Sequence, residues 1–177
     1  QQPGDAHDLT FSCYERLPLL TSDHAKAVFL SSLDKARKKY DFDIWAYVIM
    51  PEHVHLLIHF RKPIYSIEEV RKSIRQRTAK TLLTLIRAQS PALAGKLGVL
   101  TDKYRFWQKG KGFDRNLFST KAIHAAINYL HANPVRRGLC ENDLDYPWSS
   151  ARFYAEVGEV LFSVNRCPVV KMRRFGD

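Results

Sequence analysis

The sequence predicts an α+β fold, on three observations. Two apolar runs, residues 44–49 and 54–58, flank Met50-Pro51. They read as adjacent antiparallel strands, because proline interrupts a sheet ladder and invites a turn. Residues 7–14 alternate polar and apolar well enough for another strand. Three longer stretches, starting near residues 22, 66 and 118, repeat apolar residues at helical spacing instead. At 177 residues and 45% hydrophobic content, the chain is expected to fold as one domain, 1–177, with a basic tail from about 165 that includes Lys171, Arg173 and Arg174.

In the first strand Leu9, Phe11 and Cys13 face one side. Residues 16–20 connect to a helix that Ser22 or Asp23 caps, with Phe29, Leu33, Ala36 and Tyr40 as its apolar stripe. Lys35, Arg37, Lys38 and Lys39 gather at its end, where cations are ordinary partners of the helix dipole.

The strand pair comes next, and its second member opens His53-Val54-His55. Alternate residues of a strand share a face, so the two histidines point the same way, with α-carbons roughly 7 Å apart. Imidazoles at that spacing can converge on one ion with bonds of about 2.0–2.1 Å. Val54, Leu56 and Ile58 then lie opposite, free to pack against helices. His59 shares the histidine face, but the strand carries it away from the pair, and it reads as a surface or packing residue. By itself a His-hydrophobic-His triplet also fits two strand-edge histidines bonded to backbone. Glu52, just before the pair, reads as peripheral.

Ser66 starts a second helix, with Glu69 at the capping-box position and Ile67, Val70, Ile74, Leu82 and Leu85 as its stripe. Arg71, Lys72, Arg75, Arg77 and Lys80 make its remaining surface single-signed, which reads as a phosphate-contacting face. Residues 90–98 read as a loop. Residues 103–114 interleave aromatics with cations, Lys109 and Lys111 among them, a composition that suits single-stranded nucleic acid. A core strand with Phe106 or Trp107 buried and lysines outside fits as well, and the two readings are compatible. The third helix runs from Phe118 to Ala132. Phe118, Ala122, Ala125 and Tyr129 form one stripe that Asn133 extends, Pro134 stops it, and Gly138 supports a turn. Residues 144–154 read as a loop and short helix packed on the body.

A formal charge of +10 attracts polyanions, and nucleic acid is the commonest polyanion for a soluble domain. Cys13, Cys140 and Cys167 are odd in number and widely spaced, which suits neither a disulfide framework nor a zinc knuckle. With no long apolar run and no signal-peptide pattern, a cytoplasmic protein without a membrane partner is expected.

Three blocks carry a family resemblance. Tyr47-Val-Ile-Met-Pro-Glu-His53-Val54-His55-Leu-Leu-Ile resembles the HUH motif of single-tyrosine transposases, U being a bulky hydrophobic residue. Tyr129-Leu-His-Ala-Asn133-Pro-Val-Arg136-Arg137-Gly-Leu139 resembles the tyrosine helix of that family in its REP-associated tyrosine transposase version. Tyr146-Pro-Trp-Ser-Ser150 matches a third block, and the blocks occur in the family's order. The resemblance runs from about residue 7 to about 154, nearly the whole chain.

It implies a ferredoxin-like (RRM-like) palm, an antiparallel sheet with helices packed on one face. It also implies a metal-dependent single-stranded DNA endonuclease and strand transferase that recognises hairpin DNA (REP-like repeats), as a monomer or homodimer. Tyr129 would be the nucleophile, leaving a 5′-phosphotyrosine bond and a free 3′-hydroxyl. His53, His55 and Asn133 would be ligands of a divalent metal, Mg2+ or Mn2+. Expected nucleic-acid contacts are Arg71, Lys72, Arg75, Lys109, Lys111, Arg136 and Arg137. A phenol with a pKa of about 10 needs help to attack, yet leaves well enough to make the step reversible without ATP. Tyr129 and Asn133, four apart, share a helix face. Asn133 fits equally as a helix C-terminal residue before proline, and two imidazoles suit Mn better than Mg. A domesticated, non-cleaving binder of structured nucleic acid and a water-using metal phosphodiesterase stand as alternatives.

Overall fold

Strands β1 (Ala6–Ser12), β2 (Phe42–Ile49), β3 (His53–Phe60) and β4 (Phe113–Leu117) form one antiparallel sheet in the order β2-β3-β1-β4. This is seen in a computed structural model that describes residues 6–99, 104–110 and 112–170. Helix α1 (Asp23–Tyr40) joins β1 to β2, and α2 (Ile67–Gln89) with the short α3 (Pro91–Lys96) joins β3 to β4. Helices α4 (Thr120–Arg136) and α5 (Ala151–Ala155) follow. The β-α-β-β-α-β order with this sheet order is the ferredoxin-like arrangement, so the expected fold class holds.

The strand period of two divides the side chains between two layers. Leu9, Phe11, Val54, Leu56 and Ile58 pack against Phe29 and Leu33 of α1 and against Val70 and Ile74 of α2. On the histidine face, Trp45, Ala46, Val48 and Leu57 pack against Ile123, Ala126, Ile127 and Leu130 of α4. Helices therefore cover both faces of the sheet, where the sequence reading placed them on one. The apolar residues beside the histidines need a cover of their own, and α4 supplies it.

Serine caps start the three long helices, as the sequence implies for Ser22 and Ser66, whereas the third starts after Ser119 and not at Phe118. Ser22, Ser66 and Ser119 each accept from the backbone N–H three residues on, at 3.1, 3.3 and 3.2 Å. Three expectations are corrected. Residues 91–96 form α3 rather than a loop, with Pro91 in the first turn, where its missing N–H costs nothing. Helix α4 continues through Pro134 to Arg136, because the Asn133 amide reaches toward the Leu130 carbonyl that proline cannot serve, at 3.5 Å. The core stripe of α4 is Ile123, Ala126, Ile127 and Leu130, while Tyr129 lies on its exposed side and Phe118, before the Ser119 cap, is exposed outside the helix. Phe106 and Trp107 are both buried, which satisfies the core reading of that segment. Lys103, Lys111, Lys171, Arg173 and Arg174 lie outside the described residues.

The third block closes the β2 edge of the sheet. Ser149 bridges Val48, the Ser150 N–H donates to the Tyr47 carbonyl at 3.0 Å, and the Tyr47 N–H donates to Ser150 Oγ at 3.0 Å. His131 of α4 bonds the same Oγ at 2.8 Å, which ties the tyrosine helix to the edge strand. Among the described residues no helix is long and apolar enough to cross a membrane.

Leu56 is fully buried between sheet and helices, so Leu56→Ala is expected to cost about 2–5 kcal/mol. Lys80→Ala, on the exposed side of α2, should stay within about 0.5 kcal/mol of the natural chain. Urea unfolding of both variants checks the pair.

Candidate active site

The β1–β3 register sets Thr10 opposite His55 and Ser12 opposite His53. Both imidazoles project toward the side where α4 lies, with ring centroids 4.8 Å apart and ring planes at 85°. Each ring is held through Nδ1. The Glu52 carboxylate accepts from His53 Nδ1 at 3.1 Å, and His55 Nδ1 shares a hydrogen bond with the Thr10 hydroxyl at 3.0 Å. In both rings this leaves Nε2 as the nitrogen free for another partner. A carboxylate on the far nitrogen of an imidazole fixes its tautomer and raises its basicity. Glu52 is therefore not peripheral.

Helix α4 brings Tyr129 to the same place. Its ring is half-exposed and stands edge-on to His55, 5.9 Å between centroids. The Arg136 guanidinium, seven residues on and so on the same side of the helix, covers the phenol ring at 5.0 Å. Arg137, the next residue, donates to Glu52 Oε1 at 2.8 Å and latches the end of α4 to the turn before β3. Asn133 is buried, and its Nδ2 donates back to the Tyr129 carbonyl at 2.9 Å, which leaves Oδ1 as its atom for any further partner.

Among the described residues no group of three or more His, Cys, Asp or Glu is poised around a metal position. A divalent ion here would take two imidazole nitrogens, with amide, water or phosphate oxygens completing the shell. That donor set suits Mn2+ better than Mg2+, which favours oxygen throughout.

Of the other cations predicted to touch nucleic acid, those among the described residues are not brought to this face. Arg71, Lys72 and Arg75 lie on α2, across the sheet. Arg71 is buried, Lys72 is exposed, and Arg75 donates to the carbonyls of Gly110 and Gln108 at 2.9 and 2.7 Å. Lys109 is exposed in that same loop. Sequence reasoning missed Thr10 and the role of Glu52. The alternation of β1 could have flagged Thr10 as a polar residue on the histidine face. The Glu52 contacts depend on how the turn folds.

A sequence profile of the family described as transposase IS200 like matches residues 6–131. The chain belongs to that family. It is 27% identical over 162 residues to a Haemophilus influenzae protein named among the REP-associated tyrosine transposases, covering 90% of this chain and 85% of that one. It is 23% identical over 150 residues to an Escherichia coli K12 REP-associated tyrosine transposase, covering 85% and 76%. A solved REP-associated tyrosine transposase bound to a REP hairpin superposes with a TM-score of 0.66 at 16% identity, covering 100% of this chain and 95% of that one.

Electrostatics in this IS200-like transposase keep the pair in the ligand-competent form. Burial holds the His53 imidazole below its ordinary pKa, partly opposed by the Glu52 carboxylate. Burial, helped by the neighbouring His53 and by Arg16, pushes His55 down to about 4. Both rings are then neutral near pH 7, with Nε2 lone pairs available.

For metal-free protein a pH dependence follows. The folded His55 binds its proton less readily than an unfolded histidine near 6.5, so acid favours the unfolded chain. This contribution, about 3 kcal/mol, is fully present above pH 6.5 and is lost as pH falls to about 4. Unfolding free energies measured in chelator between pH 7 and pH 4 should show that decline, and His55→Gln should flatten it.

Proposed function

We propose that this transposase is a metal-dependent endonuclease and strand transferase for single-stranded DNA, cutting beside a hairpin through a 5′-phosphotyrosine intermediate. The observation that carries the reading is an exposed tyrosine on α4, 5.9 Å between ring centroids from His55, on the sheet face where both imidazoles keep Nε2 open. A core tyrosine would be buried, and a pair of structural histidines would not need both free nitrogens on one side. The relative solved with a REP hairpin supports hairpin DNA of that kind as the substrate.

In the proposed step Tyr129 Oη bonds to phosphorus and the P–O3′ bond breaks. The phenolic proton passes to water, and the departing 3′ oxygen takes one up to become a free hydroxyl. Attack by a later 3′-hydroxyl on the phosphotyrosine reverses the step and joins strands, so no external energy is needed. His53 and His55, with Asn133 Oδ1 as a third donor, would hold the divalent ion, Mn2+ or Mg2+, which supplies Lewis-acid stabilisation of the phosphate charge. The Arg136 guanidinium, already over the phenol, sits where it can meet the same phosphate. Glu52 orients His53 and, through Arg137, keeps the tyrosine helix against the histidine strand.

The test is covalent trapping on a denaturing gel, using labelled hairpin DNA with single-stranded flanks and Mn2+ or Mg2+. The natural chain should give a metal-dependent protein–DNA adduct. Tyr129→Phe and the double variant His53→Ala with His55→Ala should give none. Cleavage that survives Tyr129→Phe would replace the phenol by water as nucleophile.

Glu52→Gln should bind Mn2+ about 10–100-fold more weakly in a direct titration, because a neutral amide orients and polarises His53 less well. Unchanged affinity would separate Glu52 from the ion site.

A further inference from the structure

On the sheet face away from the histidines, a groove of about 1120 Å³ opens between α2 and the segment 104–110. Its cations are Arg71, Lys72, Arg75, Arg105 and Lys109, and its acids are Glu68 and Asp114. Of these cations only Arg71 is buried. The Arg71 side chain is 8% exposed, and its nearest carboxylate, Asp114, stands 3.9 Å from Nη1. That carboxylate already accepts from His7 Nδ1 at 3.1 Å. Among the described residues Arg71 Nε and Nη2 have no hydrogen-bond partner. A buried guanidinium left this way is costly, and an anion with several acceptor oxygens is the kind of group that satisfies it.

The surroundings are built to keep Arg71 there. Between the Cys13–Trp107 bridge and the Thr10–Phe113 pair, Gly110 and Gly112 both take positive φ. Gly112 has φ +68°, and a Cβ on it would stand 2.6 Å from the Thr10 carbonyl oxygen and 3.1 Å from Arg71 Nη2. Only glycine therefore lets the guanidinium and the loop share this space. Arg75 pins the loop by its two bonds to the Gly110 and Gln108 carbonyls, and Trp107 Nε1 donates to the Arg75 carbonyl at 2.9 Å. Burial and the adjacent Arg71 charge hold Arg75 below the ordinary arginine range. At the rim the Tyr104 ring is exposed.

We propose that this groove binds an unpaired stretch of single-stranded DNA, with a backbone phosphate at Arg71 and a base on the Tyr104 ring, apart from the histidine–tyrosine face. Phosphate oxygens complete the arginine valence, and an exposed aromatic at the lip offers the sequence-tolerant stacking that single strands use. The proposal rests on the reading of the chain as DNA-acting, and not on cleavage.

Fluorescence anisotropy of labelled dT8, which cannot form a hairpin, tests it on the full chain. Arg71→Gln should weaken binding at least 10-fold, and Tyr104→Ala, which leaves the buried network intact, several-fold. Lys35→Ala, an equal loss of charge on α1 outside the groove, should change it less than 2-fold. Circular dichroism melts of each variant confirm folding. Arg71→Gln and Tyr104→Ala both within 2-fold of the natural chain would overturn the proposal. Inorganic phosphate that raises the melting temperature as much as dT8, equally in Tyr104→Ala, would assign the groove to a free anion and overturn it too. Adduct formation on hairpin DNA is scored separately. Its loss with dT8 binding intact sinks the nuclease reading alone, and the converse sinks this one alone.

Discussion

The cross-strand register of β1 and β3 is the constraint on which the site depends. With Thr10 opposite His55 and Ser12 opposite His53, these small polar residues of β1 fall beside the imidazoles, and Leu9, Phe11, Val54, Leu56 and Ile58 fall on the other side. A slip of one residue would exchange the faces, burying the histidines among Phe29 and Val70 and exposing Leu56. The core beneath α1 and α2 thus fixes the chemistry above. Burial and function are coupled through the pleat of a single strand.

Helix α4 meets a harder requirement, because it must cover part of the histidine face and leave part open. It does so by carrying two stripes. Ile123, Ala126, Ile127 and Leu130 cover Val48 and Leu57, whereas Tyr129 and Arg136 stay outside. His131 and Arg137 then fasten the helix at two further points, to Ser150 and to Glu52. A nucleophile on a helix secured in this way is positioned by packing rather than by its own contacts.

Much of this was legible in the sequence. The period of two in residues 53–60 gave the histidine face, and the serine caps gave the starts of α1 and α2. What was not legible depended on tertiary choices. The stripe expected for the third helix, through Ala122, Ala125 and Tyr129, is not the buried one, because which side of α4 is buried depends on the face of the sheet that the helix meets. Proline 134 promised a stop, but Asn133 serves the freed carbonyl, a local exchange that spacing does not reveal. The single-signed charge of α2 was visible, whereas its division into a buried Arg71, a loop-pinning Arg75 and an exposed Lys72 required the partner segment. Glu52 was visible as a carboxylate next to a histidine, but its orientation was not.

The irregularity in β2 has a consequence of its own. Ile44 pairs with Ile58 and Ala46 with Leu57, so Trp45 is one residue more than β3 can match. Trp45 and Ala46 consequently turn to the same side, and the strand changes phase half-way along. Trp45 stacks on His59 at 4.6 Å, and its carbonyl accepts from Tyr154 Oη at 2.8 Å. In relatives, a residue lost at this point would invert every later side chain of the strand up to the Met50-Pro51 turn. A single insertion or deletion in β2 therefore exchanges the two faces of all that follows in the strand, and only a second, compensating change restores them.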